Sequence, residues 1–146
     1  MPARRAAAEA RLWMTRDLPF PRERVFAAWL EPAGMRTWLC PFSIAHTEAL
    51  LDARVGGRFI IVMHEPGCAY EHTGEYLDID PPHRLRFTWV SKGTELMESI
   101  VTITLTDHEG GTRLDLLHEG LPHERAAAGH EAGWNEIVDK LIASLS

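Results

Sequence analysis

The spacing of apolar residues changes along the chain, and each change predicts a different secondary structure. Residues 11–18 read as a first strand, which is closed by a proline-rich turn. Apolar residues then recur every three or four positions between Pro21 and Pro32, and again between Pro32 and Pro41. Since proline favours the first turn of a helix and interrupts its interior, this pattern predicts two short helices in succession.

A period of two replaces the helical spacing from Phe42 to Glu119, where glycine and proline turns separate short apolar runs. This alternation predicts a sequential antiparallel sheet with one apolar face, because neighbouring residues of a strand point to opposite sides. The predicted strands cover residues 44–51, 57–65, 70–80, 84–91, 97–108 and 111–119.

The C-terminal segment carries the clearest helical stripe in the sequence. Its apolar members stand at intervals of three and four and are Trp134, Ile137, Val138, Leu141, Ile142 and Leu145. Such a stripe needs an apolar partner, and the sheet supplies one. We therefore expect an α+β fold in which a curved antiparallel sheet wraps around a long C-terminal helix. A loose N-terminus is expected over residues 1–10, followed by one domain over 11–146.

Charge and composition remove several function classes. The net charge is −6, with 15 Lys and Arg scattered among 21 acidic residues, which disfavours nucleic acid as a partner. Cys40 and Cys68 are too few for a disulfide framework and are interpreted as free thiols. The longest run of large apolar residues is Phe59 to Met63, far too short to cross a membrane, and no secretory signal is recognisable. We expect a cytoplasmic protein without a membrane partner.

Local motifs add a family resemblance that covers the chain from about residue 11 to its end. The motifs are Pro21–Trp29, Trp38, Asp52–Phe59, Gly74–Tyr76, Ile79–Leu85, Phe87–Trp89 and Gly133-Trp134. They resemble the family of proteins similar to the Hsp90 ATPase activator (AHSA1-like), within the START-like, SRPBCC or Bet v 1-like superfamily. The resemblance implies the helix-grip fold, with two short helices after the first strand and a hydrophobic cavity between sheet and last helix.

Aromatic and aliphatic side chains predicted to face this interior suit a small apolar ligand. The predicted ligand-binding residues are Trp38, Phe59, Ile61, Met63, Tyr76, Phe87, Trp89, Trp134 and Val138. For any single one of the large aromatics, simple core packing is the competing interpretation. The favoured function is a ligand-binding protein with no chemistry of its own.

The alternative is an enzyme of the cyclase, aromatase or dehydratase kind that START-like folds host. Its acid or base would be an inward polar residue, for which His46, Glu75 and Tyr76 are the candidates. Alternation along the strand requires that either Glu75 or Tyr76 points inward, and the sequence slightly favours Glu75 on the outside.

Metal sites are not expected, and no cofactor is implied. His118 and His123 resemble a zinc signature, but five positions rather than four separate them, with glycine and proline between them in a predicted loop. His64, Cys68 and His72 flank one predicted hairpin and form a weaker opportunistic candidate.

The expected partner is a small apolar molecule, and the sequence leaves room for a homodimer. A role as a chaperone-associated module, which the family name suggests, ranks last among the three functions. A lone domain of this length is not expected to carry the additional N-terminal domain that the resemblance to an Hsp90 cochaperone would call for.

Overall fold

Seven strands and three helices make up the described part of the protein, which is residues 10–146 of a computed structural model. The strands are β1 (Ala10–Leu18), β2 (His46–Leu51), β3 (Arg58–Glu65), β4 (Cys68–Asp80), β5 (Arg84–Trp89), β6 (Ser99–His108) and β7 (Gly111–Leu121). The helices are α1 (Arg22–Ala28), α2 (Pro32–Trp38) and α3 (Glu124–Leu145). The loose N-terminus predicted for residues 1–10 lies outside the described residues, except that Ala10 already begins β1.

The strands form one antiparallel sheet in the order β1-β7-β6-β5-β4-β3-β2. Strands β2 to β7 therefore follow one another, while β1 returns to pair with β7. The sheet curves around α3, so the expected helix-grip fold is confirmed. The expected apolar face is visible on β3, where Phe59, Ile61 and Met63 are buried and the residues between them are more exposed.

Helix α3 begins at Glu124, ten residues before the apolar stripe that predicted it. His123 caps the helix, since its Nδ1 accepts a hydrogen bond of 3.0 Å from the backbone N–H of Ala126. The loop expected between His118 and His123 is shorter than predicted, because β7 continues to Leu121 and only Pro122 and His123 separate it from α3. The added first half of α3 is rich in alanine and glycine, which a search for large apolar residues does not detect.

Several strand boundaries differ from the prediction by one or two residues, and two of these differences have a clear local reason. Strand β6 begins at Ser99 because a short 3-10 turn follows β5, after which Glu95 and Leu96 adopt left-handed φ angles of 56° and 60°. Strand β4 begins at Cys68, directly after the turn residues Pro66 and Gly67. Gly67 has a φ of 81°, which glycine adopts at no steric cost.

Within residues 10–146, no helix is long and apolar enough to cross a membrane.

Candidate functional site

A cleft opens between the sheet and the first half of α3. Its volume is about 780 Å³. The elements that line it are the β3–β4 hairpin, the end of β5 with the following turn, the loop between α2 and β2, and α3. The lining includes Phe42, Met63, Glu65, Glu71, His72, Trp89, Lys92, Gly93, Leu96, Ala126, Gly129, His130, Gly133 and Trp134.

Small residues on α3 keep the cleft open. Ala126, Gly129 and Gly133 occupy the helix face that borders it. A Cβ atom added at Gly129 would meet no heavy atom within 4 Å, so the space in front of this residue is empty. A Cβ at Gly133 would lie in ordinary contact with the Phe42 ring, at 3.6 Å. Larger side chains here would fill the cleft rather than clash with the backbone.

The rim of the cleft carries exposed apolar side chains on constrained backbone. Phe42 has a left-handed φ of 56° and a side chain that is 58% exposed. Its backbone N–H donates a 2.9 Å hydrogen bond to Oε1 of Glu136, and Lys140 donates to the carbonyl of Cys40. Helix α3 thus holds the loop that forms one side of the opening. Leu96, also left-handed, is exposed on the opposite turn.

Aromatic rings form the inner wall. The ring centroids of Trp89 on β5 and Trp134 on α3 lie 5.2 Å apart, which joins the sheet to the helix. The imidazole of His72 lies tilted against Trp89, with the ring centroids 4.8 Å apart, and Met63 lies on the neighbouring strand β3. A face of this composition favours a flat apolar molecule.

A chain of hydrogen bonds fixes the two tryptophans behind this wall. The Nε1–H of Trp134 donates to Nδ1 of His118 over 3.0 Å, and the hydroxyl of Ser99 donates to the carbonyl of Trp89 over 2.6 Å. Because that hydroxyl has one proton, the 2.8 Å contact between Nε2 of His118 and Oγ of Ser99 must be donated by the histidine. His118 is therefore a neutral imidazole with its proton on Nε2.

This arrangement makes His118 a structural residue. Burial, with a smaller contribution from the neighbouring His130, lowers its pKa to about 3. A catalytic base would accept the proton of Ser99, whereas His118 donates to that oxygen. Both ring nitrogens are occupied, so the pair has no free group to offer a substrate.

Two further histidines line the cleft itself. Burial lowers the pKa of His72 to about 4, against smaller opposing effects of the Ile61 and Tyr70 backbone, and its Nδ1 is buried without a hydrogen-bond partner in residues 10–146. Burial also lowers the pKa of His130, against a smaller opposing effect of the Ala126 carbonyl. Both imidazoles are thus neutral at neutral pH.

The family of this chain follows from its match to a family model. The model described as activator of Hsp90 ATPase homolog 1-like protein matches residues 19–146. The chain belongs to this AHSA1-like family. No curated protein matches it significantly.

Solved structures agree with this assignment. A protein of Chromobacterium violaceum is 29% identical, with a TM-score of 0.80 over 91% of this chain and 94% of that one. A protein of Rhodobacter sphaeroides is 27% identical, with a TM-score of 0.81 over 94% and 93%. The AHSA1-like protein of Aeromonas hydrophila, at 24% identity, has a TM-score of 0.78 over 93% and 92%, and shows the fold alone.

The residues predicted to bind a ligand fall into three groups in this AHSA1-like chain. Met63, Trp89 and Trp134 line the cleft. Phe59, Ile61, Tyr76 and Phe87 instead surround a space of about 20 Å³ at the other end of the sheet, together with Trp89 and Trp134. Trp38 and Val138 are buried in the core and line neither space, and Trp38 packs edge-on against Trp29 at 5.0 Å.

The catalytic candidates are separated by the sheet. Tyr76 faces inward and is packed among Phe59 and Phe87, and burial raises its pKa to about 12. Glu75 lies on the outer face, 3.7 Å from Arg58. His46 is also on the outer face, contrary to the expectation that it points inward. The reason is that its neighbour Thr47 takes the buried position and donates to the carbonyl of Leu39 over 2.6 Å.

The histidines that come together in the structure are not those of the two candidate metal motifs in the sequence. His64 stacks on His46 at 4.6 Å on the outer face, whereas His72 faces the cleft, so the set of His64, Cys68 and His72 does not converge. Among residues 10–146, the group that could hold a metal ion is His46, Glu48 and His64, whose ligand atoms lie within 4.8 Å of one another. His64 and Glu48 are already paired at 2.6 Å.

His72 and His130 are the cleft residues that the sequence interpretation missed. Both had a detectable signal. His72 stands four positions before Tyr76 on the same strand, so an inward Tyr76 places His72 inward too. His130 stands four positions before Trp134, on the same face of α3.

Proposed function

We propose that this AHSA1-like protein binds a small, mainly apolar molecule in the cleft between the sheet and the first half of α3. The observation that carries the proposal is the volume of about 780 Å³, which lies within the roughly 300–1,000 Å³ typical of small-molecule sites. The tryptophan wall, Met63 and the apolar rim give such a molecule surfaces on several sides.

Binding without chemistry is the form of the proposal that the polar groups favour. Glu75 and His46 lie outside the sheet, and Tyr76 is packed among aromatic rings. His118 and Ser99 use their hydrogen-bonding atoms on each other and on the two tryptophans. The acid-base candidates of the enzyme alternative are thus placed away from the cleft or are already engaged.

The test is to fill the cleft from α3 while leaving its walls intact. Gly129→Phe places a ring in the empty space, and Gly129→Ala is the matched control, because it makes the same backbone change with little added volume. The probe is the uncharged fluorophore phenylnaphthylamine. We expect saturable binding and a raised melting temperature in the wild type and in Gly129→Ala, and loss of both in Gly129→Phe.

Equal binding by Gly129→Phe and the wild type would move the site elsewhere and contradict the proposal. So would the failure of this probe, and of a panel of uncharged apolar compounds, to bind the native protein. Native mass spectrometry of freshly purified protein should be run first, because a copurified molecule would occupy the site and reveal its own mass.

A further inference from the structure

Nε2 of His130 has no hydrogen-bond partner within residues 10–146, and neither has the buried Nδ1 of His72 in the same lining. The Nδ1–H of His130 donates to the carbonyl of Ala126 over 2.7 Å, since a carbonyl can only accept. With the ring neutral, Nε2 carries a lone pair and can only accept. The hydrogen bonds made within residues 10–146 leave this nitrogen without a donor.

The surroundings of His130 explain why no protein group supplies one. The ring of His118 lies edge-on at 4.9 Å, but both of its nitrogens are used by Ser99 and Trp134. On the other side stands Gly93, where a Cβ atom would lie 3.4 Å from Nε2 and 3.2 Å from the neighbouring ring carbon. The missing side chain at Gly93 therefore leaves Nε2 uncovered at the cleft wall.

We propose that the cleft selects a neutral ligand that carries a hydroxyl group on an apolar ring system, with the hydroxyl donating to Nε2 of His130. This inference rests on the proposed ligand-binding function. The ring system would lie against Trp89 and Trp134, which border the same cleft as His130. Phenols and related hydroxylated aromatic compounds are the ligand class that combines these two features.

The charges around the cleft argue against a carboxylate in the same position. A carboxylate has no proton to donate to Nε2, and Glu65 and Glu71 stand in the lining with the same sign of charge. Lys92 is the one Lys or Arg among the lining residues, all of which lie in the described range, and its side chain is exposed at the rim. A neutral donor is the group that the site can satisfy without placing like charges together.

The expected preference is modest because the cleft is open to solvent. A hydrogen bond to a neutral group contributes about 1 kcal/mol net, which corresponds to roughly a fivefold to tenfold change in affinity. The comparison therefore needs two probes that share a ring system and an oxygen atom, of which only one has an O–H donor. Naphthol and its methyl ether share the ring system, and the ether has no O–H.

The experiment measures both dissociation constants by calorimetry at neutral pH on the wild type, His130→Phe and His72→Phe. We expect the wild type to bind naphthol about fivefold to tenfold more tightly than the ether. His130→Phe should bind both probes alike, while His72→Phe should keep the preference. The ratio within each variant corrects for any change in the shape of the cleft.

The outcomes separate this inference from the function on which it rests. If neither probe binds the wild type, the ligand-binding proposal fails as well. If both bind with equal affinity, or if His72→Phe abolishes the preference and His130→Phe does not, the assignment to His130 is overturned. Should His130→Phe fail to fold, Gly93→Ala gives the second test, because its Cβ crowds the imidazole and should reduce the preference.

Discussion

At one end of the space between the sheet and α3, Phe59, Tyr76 and Phe87 close around about 20 Å³. At the other end, Met63, Trp89 and Trp134 border a cleft of about 780 Å³. The two ends share strands β3, β4 and β5 and the same inward face. What differs is the size of the side chains that face one another across the space.

At the packed end, the ring of Phe59 lies directly against the backbone of Gly74. A Cβ atom at Gly74 would lie 2.3 Å from the ring of Phe59 and 2.0 Å from the carbonyl of Thr88, so the absence of a side chain on β4 is what admits that ring. At the open end the absent side chains are on α3, and no ring occupies the space in front of Gly129. Glycine thus permits filling at one end and leaves a void at the other.

The largest expected effect comes from truncating one residue at each end of β3. Phe59 and Met63 share a face and are both buried. Phe59→Ala should lower the free energy of unfolding by about 3–5 kcal/mol, because it creates a cavity in packed surroundings. Met63→Ala should lower the free energy of unfolding by about 2 kcal/mol or less, which is the low end for replacing a buried methionine by alanine. The reason is that one side of Met63 already faces the cleft.

Urea unfolding of the two variants measures the difference directly. Similar slopes with denaturant are required, so that both losses refer to the same extent of unfolding. If the two variants lose the same stability, the open end is packed as tightly as the other and the contrast disappears.

A second difference between the ends is chemical, since the buried histidines lie at the open end. Burial lowers the pKa of His118 to about 3 and that of His72 to about 4, from an ordinary value of 6.5. The unfolded chain therefore binds protons that the folded chain does not as the pH falls below 6.5. The free energy of unfolding should therefore not be reduced by these histidines above that pH, and it should decline as the pH falls toward about 3.

His118→Gln tests this dependence. Glutamine is neutral and offers both a donor and an acceptor, so it can replace the bonds to Ser99 and Trp134 in kind. We expect a smaller loss of stability between pH 6.5 and about 4 than in the wild type, measured by urea unfolding across that range. His83→Gln, at an exposed position, is the control and should follow the wild type. An unchanged slope in His118→Gln would mean that other groups govern the acid sensitivity.

The same contrast explains what the sequence could predict. Strict alternation on β3 placed Phe59, Ile61 and Met63 on one face, and the C-terminal stripe predicted the second half of α3, because large apolar residues at regular spacing produce a strong signal. Alternation also reduced the choice on β4 to Glu75 or Tyr76. It could not decide between them, since the period gives the two faces and only the neighbouring strands show which one is buried.

The cleft could not be predicted in the same way. Its openness depends on small residues in the first half of α3, and alanine and glycine leave no apolar stripe. Its polar groups, His72 and His130, interrupt the apolar pattern and read as surface residues when each is taken alone. Both side chains reach the cleft only because α3 packs on the sheet, and this packing brings together residues that are far apart in the chain.

The smallest expected effect isolates the helix face that keeps the cleft open. Gly129→Ala should raise the free energy of unfolding by up to about 1 kcal/mol, because alanine loses less backbone entropy in a helix and its Cβ meets no atom within 4 Å. Gly34→Ala on α2 makes the same change where a Cβ would lie 3.2 Å from Oε1 of Glu31, so its gain should be smaller. Thermal unfolding of both variants beside the wild type measures this. A destabilised Gly129→Ala protein would mean that the space before this residue closes in solution, and the two ends would then be filled alike.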